Sequence, residues 1–185
     1  MRSDISRISE VVSVIILGAS LVACPSRSKE RNGLETNPSP PTITNVIPAA
    51  AAAILKQPDQ FELLFLNPQL QQEPAGADYH GFRVVRTVVI NDAETRQRLV
   101  SSFERAIAEN QGTAAACFNP RHGIRVTRNH KQVEFVICFE CNRVRVFGVV
   151  RGEFLVTNSA QASFDSVLRN KGISREDAEK DDHQR

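Results

Sequence analysis

The sequence predicts an α+β domain: an antiparallel β-sheet, run as a meander, with two main helices packed on one face. Three observations point there. Segments rich in β-branched and aromatic residues recur at 82–90, 124–128, 133–139 and 143–150, the composition of half-buried strands. Two segments, about 92–110 and 158–172, instead place apolar residues three and four apart, the spacing of an amphipathic helix. The resulting order of strand, helix, several strands and helix suits helices gathered on one side of an antiparallel sheet.

The elements follow in chain order. Pro48 presets the φ of a first helical turn, and Ala49 to Ala53 with Ile54 and Leu55 are good helix formers until Pro58, so a short helix is expected over about 48–56. Phe61-Glu62-Leu63-Leu64-Phe65-Leu66, bounded by Gln60 and Asn67-Pro68, reads as a strand, and 67–78 as loop. In 82–90, Phe82, Val84, Val88 and Ile90 fall on one alternate set, with Arg86 the exception. Asn91 offers a side-chain cap to the next helix, with Glu94 completing a capping-box pattern. Leu99, Val100, Phe103, Ala106 and Ile107 then form its apolar stripe, and Gly112 marks its exit near Asn110.

After residue 121, Ile124 to Arg128 alternates, Asn129-His130-Lys131 turns, and Val133 to Phe139 returns. Arg143 to Val150 and Phe154 to Thr157 supply further strands. Asn158 or Ser159 caps a last helix whose buried side holds Phe164, Val167 and Leu168. Gly172 fits the left-handed position after it, and Ile173 would fold back on Leu168 in a Schellman motif.

The chain has 185 residues, 41% hydrophobic and 24% charged, with a formal charge of +2, which suits one globular domain with flexible ends. Basic and acidic residues are interspersed, so no basic stripe exists to follow a phosphate backbone, and nucleic acid is excluded as the expected partner. No Gly-rich phosphate loop, GxSxG or HExxH is present.

The first residues read as an address. Arg2 and Arg7 precede an apolar run from Val11 to Val22, twelve residues, where a membrane-spanning helix takes about 20. The run ends in Leu21-Val22-Ala23-Cys24, which resembles the lipobox of bacterial lipoproteins. That resemblance implies a signal peptide over 1–23, cleavage after Ala23, and acyl chains, palmitate among them, on Cys24. It implies membrane lipid as a partner and a cell-envelope location, with Pro25 favouring the outer membrane in a diderm cell. Residues 24–47, rich in Pro, Ser and Asn, read as the lipidated cysteine and a flexible tether, because such a segment buries too little surface to offset its ordering entropy. A single domain is expected over 48–173, its ordered core at about 80–173, with a charged tail over 174–185.

Chemistry, if any, is concentrated in Cys117-x4-His122-x15-Cys138-x2-Cys141. Four arrangements fit this spacing. Export favours a disulfide of Cys117 with Cys138 or Cys141. Reduced cysteines could pack as small hydrophobes. Cys117, His122, Cys138 and Cys141 could instead surround zinc, the only cofactor the pattern suggests. Thiol–disulfide redox chemistry is the fourth. On a straight strand Cys138 and Cys141 point apart, and they converge only if the strand ends near Glu140. Arg121 could pair with Glu140 or Glu134, and His80 could neighbour His122. The strings Cys-Phe-x-Pro-Arg-His-Gly-Ile-Arg and Ile-Cys-Phe-x-Cys resemble a segment recurring in bacterial proteins of no assigned activity, over about 80–173, and that resemblance implies no catalytic residue. The expectation is a lipid-anchored envelope protein, non-enzymatic, acting as an interaction or structural module with an envelope protein partner. The alternative is metal binding or thiol redox at the Cys/His cluster.

Overall fold

A computed structural model describes residues 45–70, 78–174 and 176–177 of the chain. Cys24 with the rest of the lipobox, the signal segment, the tether up to residue 44 and the tail from 178 lie outside the described residues. The elements are α1 (Ala49–Lys56), β1 (Gln60–Leu70), β2 (Asp78–Tyr79), β3 (Phe82–Val89), α2 (Ala93–Ala108), β4 (His122–Arg128), β5 (Lys131–Cys138), β6 (Arg143–Gly148), β7 (Gly152–Leu155) and α3 (Gln161–Arg169), the last preceded by one 3-10 turn at Asn158–Ala160. The expected class holds: an α+β domain with an antiparallel sheet. The sheet has seven strands in the order β2-β3-β1-β4-β5-β6-β7. β4 to β7 form the meander, and α1 joins α2 and α3 in one hydrophobic core.

The principal difference lies in β1, which the expected core of 80–173 leaves out. It sits at the middle of the sheet, pairing antiparallel with β3 on one side and β4 on the other. The apolar run from Leu63 to Leu66 has its physical reason here. Phe61, Leu63 and Phe65 enter the core under the helices, while Leu64 and Leu66 enter a second, smaller cluster on the opposite face. A strand buried on both faces loses the polar half of its alternation. β1 also continues through Asn67 and Pro68 to residue 70, where the sequence suggested loop.

Two register shifts interrupt the β1–β3 ladder. Phe65 pairs with Arg86 but Leu66 with Val84, so Val85 is the extra residue of a bulge. The bulge exchanges the two faces of β3. Val85, Val88 and Ile90 enter the helix-side core, whereas Phe82 and Val84 join the opposite cluster. The single face expected from 82 to 90 is thereby corrected, and exposed Arg86 is accounted for as the residue beside the switch. Bulges also bend a strand and increase its twist. The β2–β3 end of the sheet rolls over far enough for Tyr79, on the edge strand, to reach main-chain carbonyls of β4 and β5.

Side chains and tight turns hold the remaining elements. α2 is capped by Asp92, not Asn91: its carboxylate accepts from Thr95 N at 2.7 Å. The hydrogen bonds from the Thr95 side chain, then from its backbone N–H, draw the Asp92 carboxyl below its ordinary value. The expected stripe of α2 is buried in full. Its Phe103 meets Phe135 of β5 edge to face, the ring centroids 5.7 Å apart, and packs on Phe154 and Phe164. Beyond α2, buried Asn110 donates to the carbonyls of Thr113 and Val156 and accepts from the N–H groups of Gly112 and Thr113. That one amide, with all four hydrogen-bonding positions used, ties the exit of α2 to the end of β7. Asn129 and His130, both at positive φ, make the two-residue turn between β4 and β5. α3 ends as expected: Gly172 N donates to Arg169 O and Ile173 N to Leu168 O, at 2.9 and 3.1 Å, which is the Schellman pair.

Candidate functional site

The cysteines converge because β5 stops at Cys138. Phe139 to Cys141 leave the strand, Asn142 takes φ 56°, and Asn142 N donates to Phe139 O at 3.3 Å. This tight turn sets the Cα atoms of Cys138 and Cys141 5.2 Å apart, within the range a disulfide spans, and the two are bonded. The pairing corrects the expectation, drawn from export, of Cys117 with Cys138 or Cys141: the turn after β5 folds Cys141 back onto Cys138, which becomes its partner.

Cys117 is reduced and exposed. The segment carrying it lies along the turn: Ala115 N donates to Cys141 O at 3.0 Å and Asn119 N approaches Cys141 Sγ at 3.4 Å. Its thiol is thereby placed 3.2 Å from Cys141 Sγ. On the other side of the bond, Cys141 N donates to Cys138 Sγ at 3.2 Å. Both bonded cysteines are 1% exposed, so of the three sulfurs only the thiol faces solvent.

His122, the remaining member of the proposed zinc set, is committed elsewhere. Its Nε2 donates to Asp165 Oδ1 of α3 at 2.8 Å, and its ring meets Phe139 and Phe164 edge to face. Two of the three sulfurs are in a disulfide, and among the described residues no group of three or more His, Cys, Asp or Glu is gathered as a metal ion requires. The structure brings the three cysteines together, and the four residues do not form a tetrahedral donor set.

The opposite face of the sheet carries a polar row that sequence reasoning did not anticipate. Glu62, Arg125 and Glu134 are direct cross-strand neighbours on β1, β4 and β5. Arg125 donates through Nε to Glu134 at 2.7 Å and through Nη1 to Glu62 at 3.1 Å. His80 completes the row: its Nε2 donates to the other Glu134 oxygen at 2.7 Å, and its ring stacks on Phe147. His80 therefore belongs to the face away from His122, contrary to expectation. Both Glu134 oxygens are engaged by Arg125 and His80, and Arg121 Nε is buried without a hydrogen-bond partner among the described residues. Burial alone would lower the Arg125 pKa, but its bond to Glu134 and the nearby negative charges outweigh that and raise it.

Tyr79 lies beneath this row. Its hydroxyl donates to Ile124 O at 2.6 Å and is 3.3 Å from Phe135 O. Burial, reinforced by the charge of Glu134, pushes its pKa well above the ordinary tyrosine value. The ring rests on Gly123, where a Cβ would lie 2.7 Å from Tyr79 Cε1. The only signal for this arrangement in the sequence was the alternation of β4 and β5, which sets Arg125 and Glu134 on the face away from the core. Their partners across the sheet became apparent only with the register.

Among the described residues no helix is long and apolar enough to cross a membrane. No protein-family model matches the chain, and neither a curated protein nor a solved structure matches it.

Proposed function

We propose that the protein is a lipoprotein of the bacterial cell envelope, held on a membrane by acyl chains on Cys24, whose α+β domain acts as a non-enzymatic interaction or structural module. The observation that carries this reading is Leu21-Val22-Ala23-Cys24 at the end of a short apolar run. Two acyl chains make an anchor stable where one is marginal, at about 0.8 kcal/mol per buried methylene. The Cys138–Cys141 bond supports the same reading, because disulfides persist in exported proteins and are rare in the cytosol. The partly buried ion pairs of the open sheet face satisfy one another, as in a structural surface.

Labelled palmitate and membrane fractionation test the anchor. The wild-type chain is expected to take up label, shorten by the leader and fractionate with membranes, and Cys24→Ser to lose all three. Unchanged processing and fractionation in Cys24→Ser would remove the anchor. A second reading, thiol–disulfide chemistry, is favoured by the 3.2 Å separation of Cys117 Sγ from Cys141 Sγ.

A further inference from the structure

We propose that Cys117 is the exchange thiol through which the buried Cys138–Cys141 disulfide trades its bond with thiols outside the protein. This deepens the thiol–disulfide reading of the site and is independent of the lipid anchor.

Access is the first support. Cys138 and Cys141 are each 1% exposed, so an external thiol has no route to either sulfur in the folded domain. Cys117 is exposed and reduced, and its sulfur is 3.2 Å from that of Cys141. A nucleophile held in contact with its target reacts as part of the same molecule, at an effective concentration no dissolved thiol reaches.

The second support is the polarity of the site. If Cys141 is attacked, Cys138 is the sulfur that leaves, and the Cys141 N–H already points at it from 3.2 Å. A hydrogen bond to the charged form of a group favours that form, so the donor sits where negative charge develops. The two backbone contacts from Ala115 and Asn119 hold the attacking segment in place.

The chemistry closes in three exchanges. The Cys117 thiol gives up its proton to water. The thiolate attacks Cys141 Sγ, forming the Cys117–Cys141 bond, breaking Cys138–Cys141 and releasing a Cys138 thiolate, which takes up a proton. One sulfur of the new disulfide is now at the surface. An external thiolate attacks Cys117 Sγ, forming a mixed disulfide and releasing Cys141 as a thiolate. A second external thiolate displaces Cys117, which is regenerated. In sum, two external thiols become one disulfide, and the Cys138–Cys141 bond becomes two thiols.

Reduced glutathione is the probe, used on the full-length purified protein. Samples are quenched in acid, alkylated, cleaved after Glu140 so that Cys138 and Cys141 separate, and read by mass spectrometry. Wild type is expected to open its disulfide at least about tenfold faster than Cys117→Ser, because thiol exchange depends on access to the sulfur attacked. Glutathione should be trapped on Cys117. An equal rate in Cys117→Ser, or an adduct appearing first on Cys138 or Cys141, would overturn the relay. A substitution that merely loosened the fold would accelerate reduction, so the expected slowing is not a stability effect. In Cys138→Ser, Cys117 and Cys141 should pair under air, and two persistent free thiols would also overturn it. Should untreated wild type carry no Cys138–Cys141 bond, the thiol–disulfide reading itself falls, a result distinct from an equal rate.

Discussion

Tyr79 donates its hydroxyl to the main-chain carbonyl of Ile124 at 2.6 Å, although β2, which carries it, is three places from β4 in the sheet. The contact exists because the bulge at Val85 and the second shift between Leu66 and Leu70 roll the β2–β3 end over the face of β4 and β5. It closes the smaller hydrophobic cluster, in which Tyr79 packs with Leu64, Leu66, Phe82 and Val136.

The buried phenol gives the fold an alkaline limit. Its pKa is raised in the folded state, first by burial. Above the unfolded value of about 10, the unfolded chain loses the proton while the native state keeps it. Fewer protons are then bound in the unfolded state, and stability falls as pH rises from there through the folded pKa. Urea melts of wild type should show that decline above about pH 10, and Tyr79→Phe should show a shallower one. Parallel curves would separate Tyr79 from alkaline unfolding.

Gly123 is required by the ring above it. A Cβ there would sit 2.7 Å from Tyr79 Cε1 and 3.3 Å from two Leu64 atoms, so the ring must be displaced. Gly123→Ala should cost about 1–3 kcal/mol, the range of overpacked cores. Tyr79→Phe/Gly123→Ala should not recover it, because the contact is with a ring carbon both residues share. Full stability in Gly123→Ala by urea denaturation would contradict this.

The His122–Asp165 bond fastens α3 to β4 beneath two phenylalanine rings. Asp165→Ala removes the partner of a ring nitrogen on a residue that is 2% exposed. A buried donor left unsatisfied costs about 1–3 kcal/mol, so the denaturation midpoint should drop by a matching amount. Asp165→Asn, whose side-chain oxygen still accepts, should recover part of it. Identical midpoints for all three proteins would assign Asp165 no structural role.

Local signals were legible where neighbours in sequence decide the outcome. The stripe of α2, the Asn129-His130 turn and the Schellman end at Gly172 and Ile173 each depend on residues within a few positions. The face assignment of β3 failed because a bulge is set by the partner strand: Val85 is surplus only relative to Phe65 and Leu66. The cap of α2 moved from Asn91 to Asp92 by one position, since either side chain can accept and only the exact helix start selects between them.

The site divides in the same way. Its sulfurs were legible as a cluster, and their convergence was tied in advance to where β5 ends. Which sulfurs bond was not legible, because the pairing depends on the turn at Asn142 and on a segment docked from before β4. The polar row of Glu62, Arg125, Glu134 and His80 was invisible for a stronger reason: it joins residues as much as 72 positions apart through strand register.

By itself the sequence determined the fold class, the helical stripes, the tight turns and the stretch in which three cysteines and a histidine gather, since periodicity and turn chemistry act over a few residues. Tertiary structure decided that β1 is central, that the sheet rolls onto Tyr79, and that Cys117 stands free beside the Cys138–Cys141 bond. Those outcomes depend on which distant strands pair and in what register, and the energy that selects them belongs to contacts made only once the chain has folded.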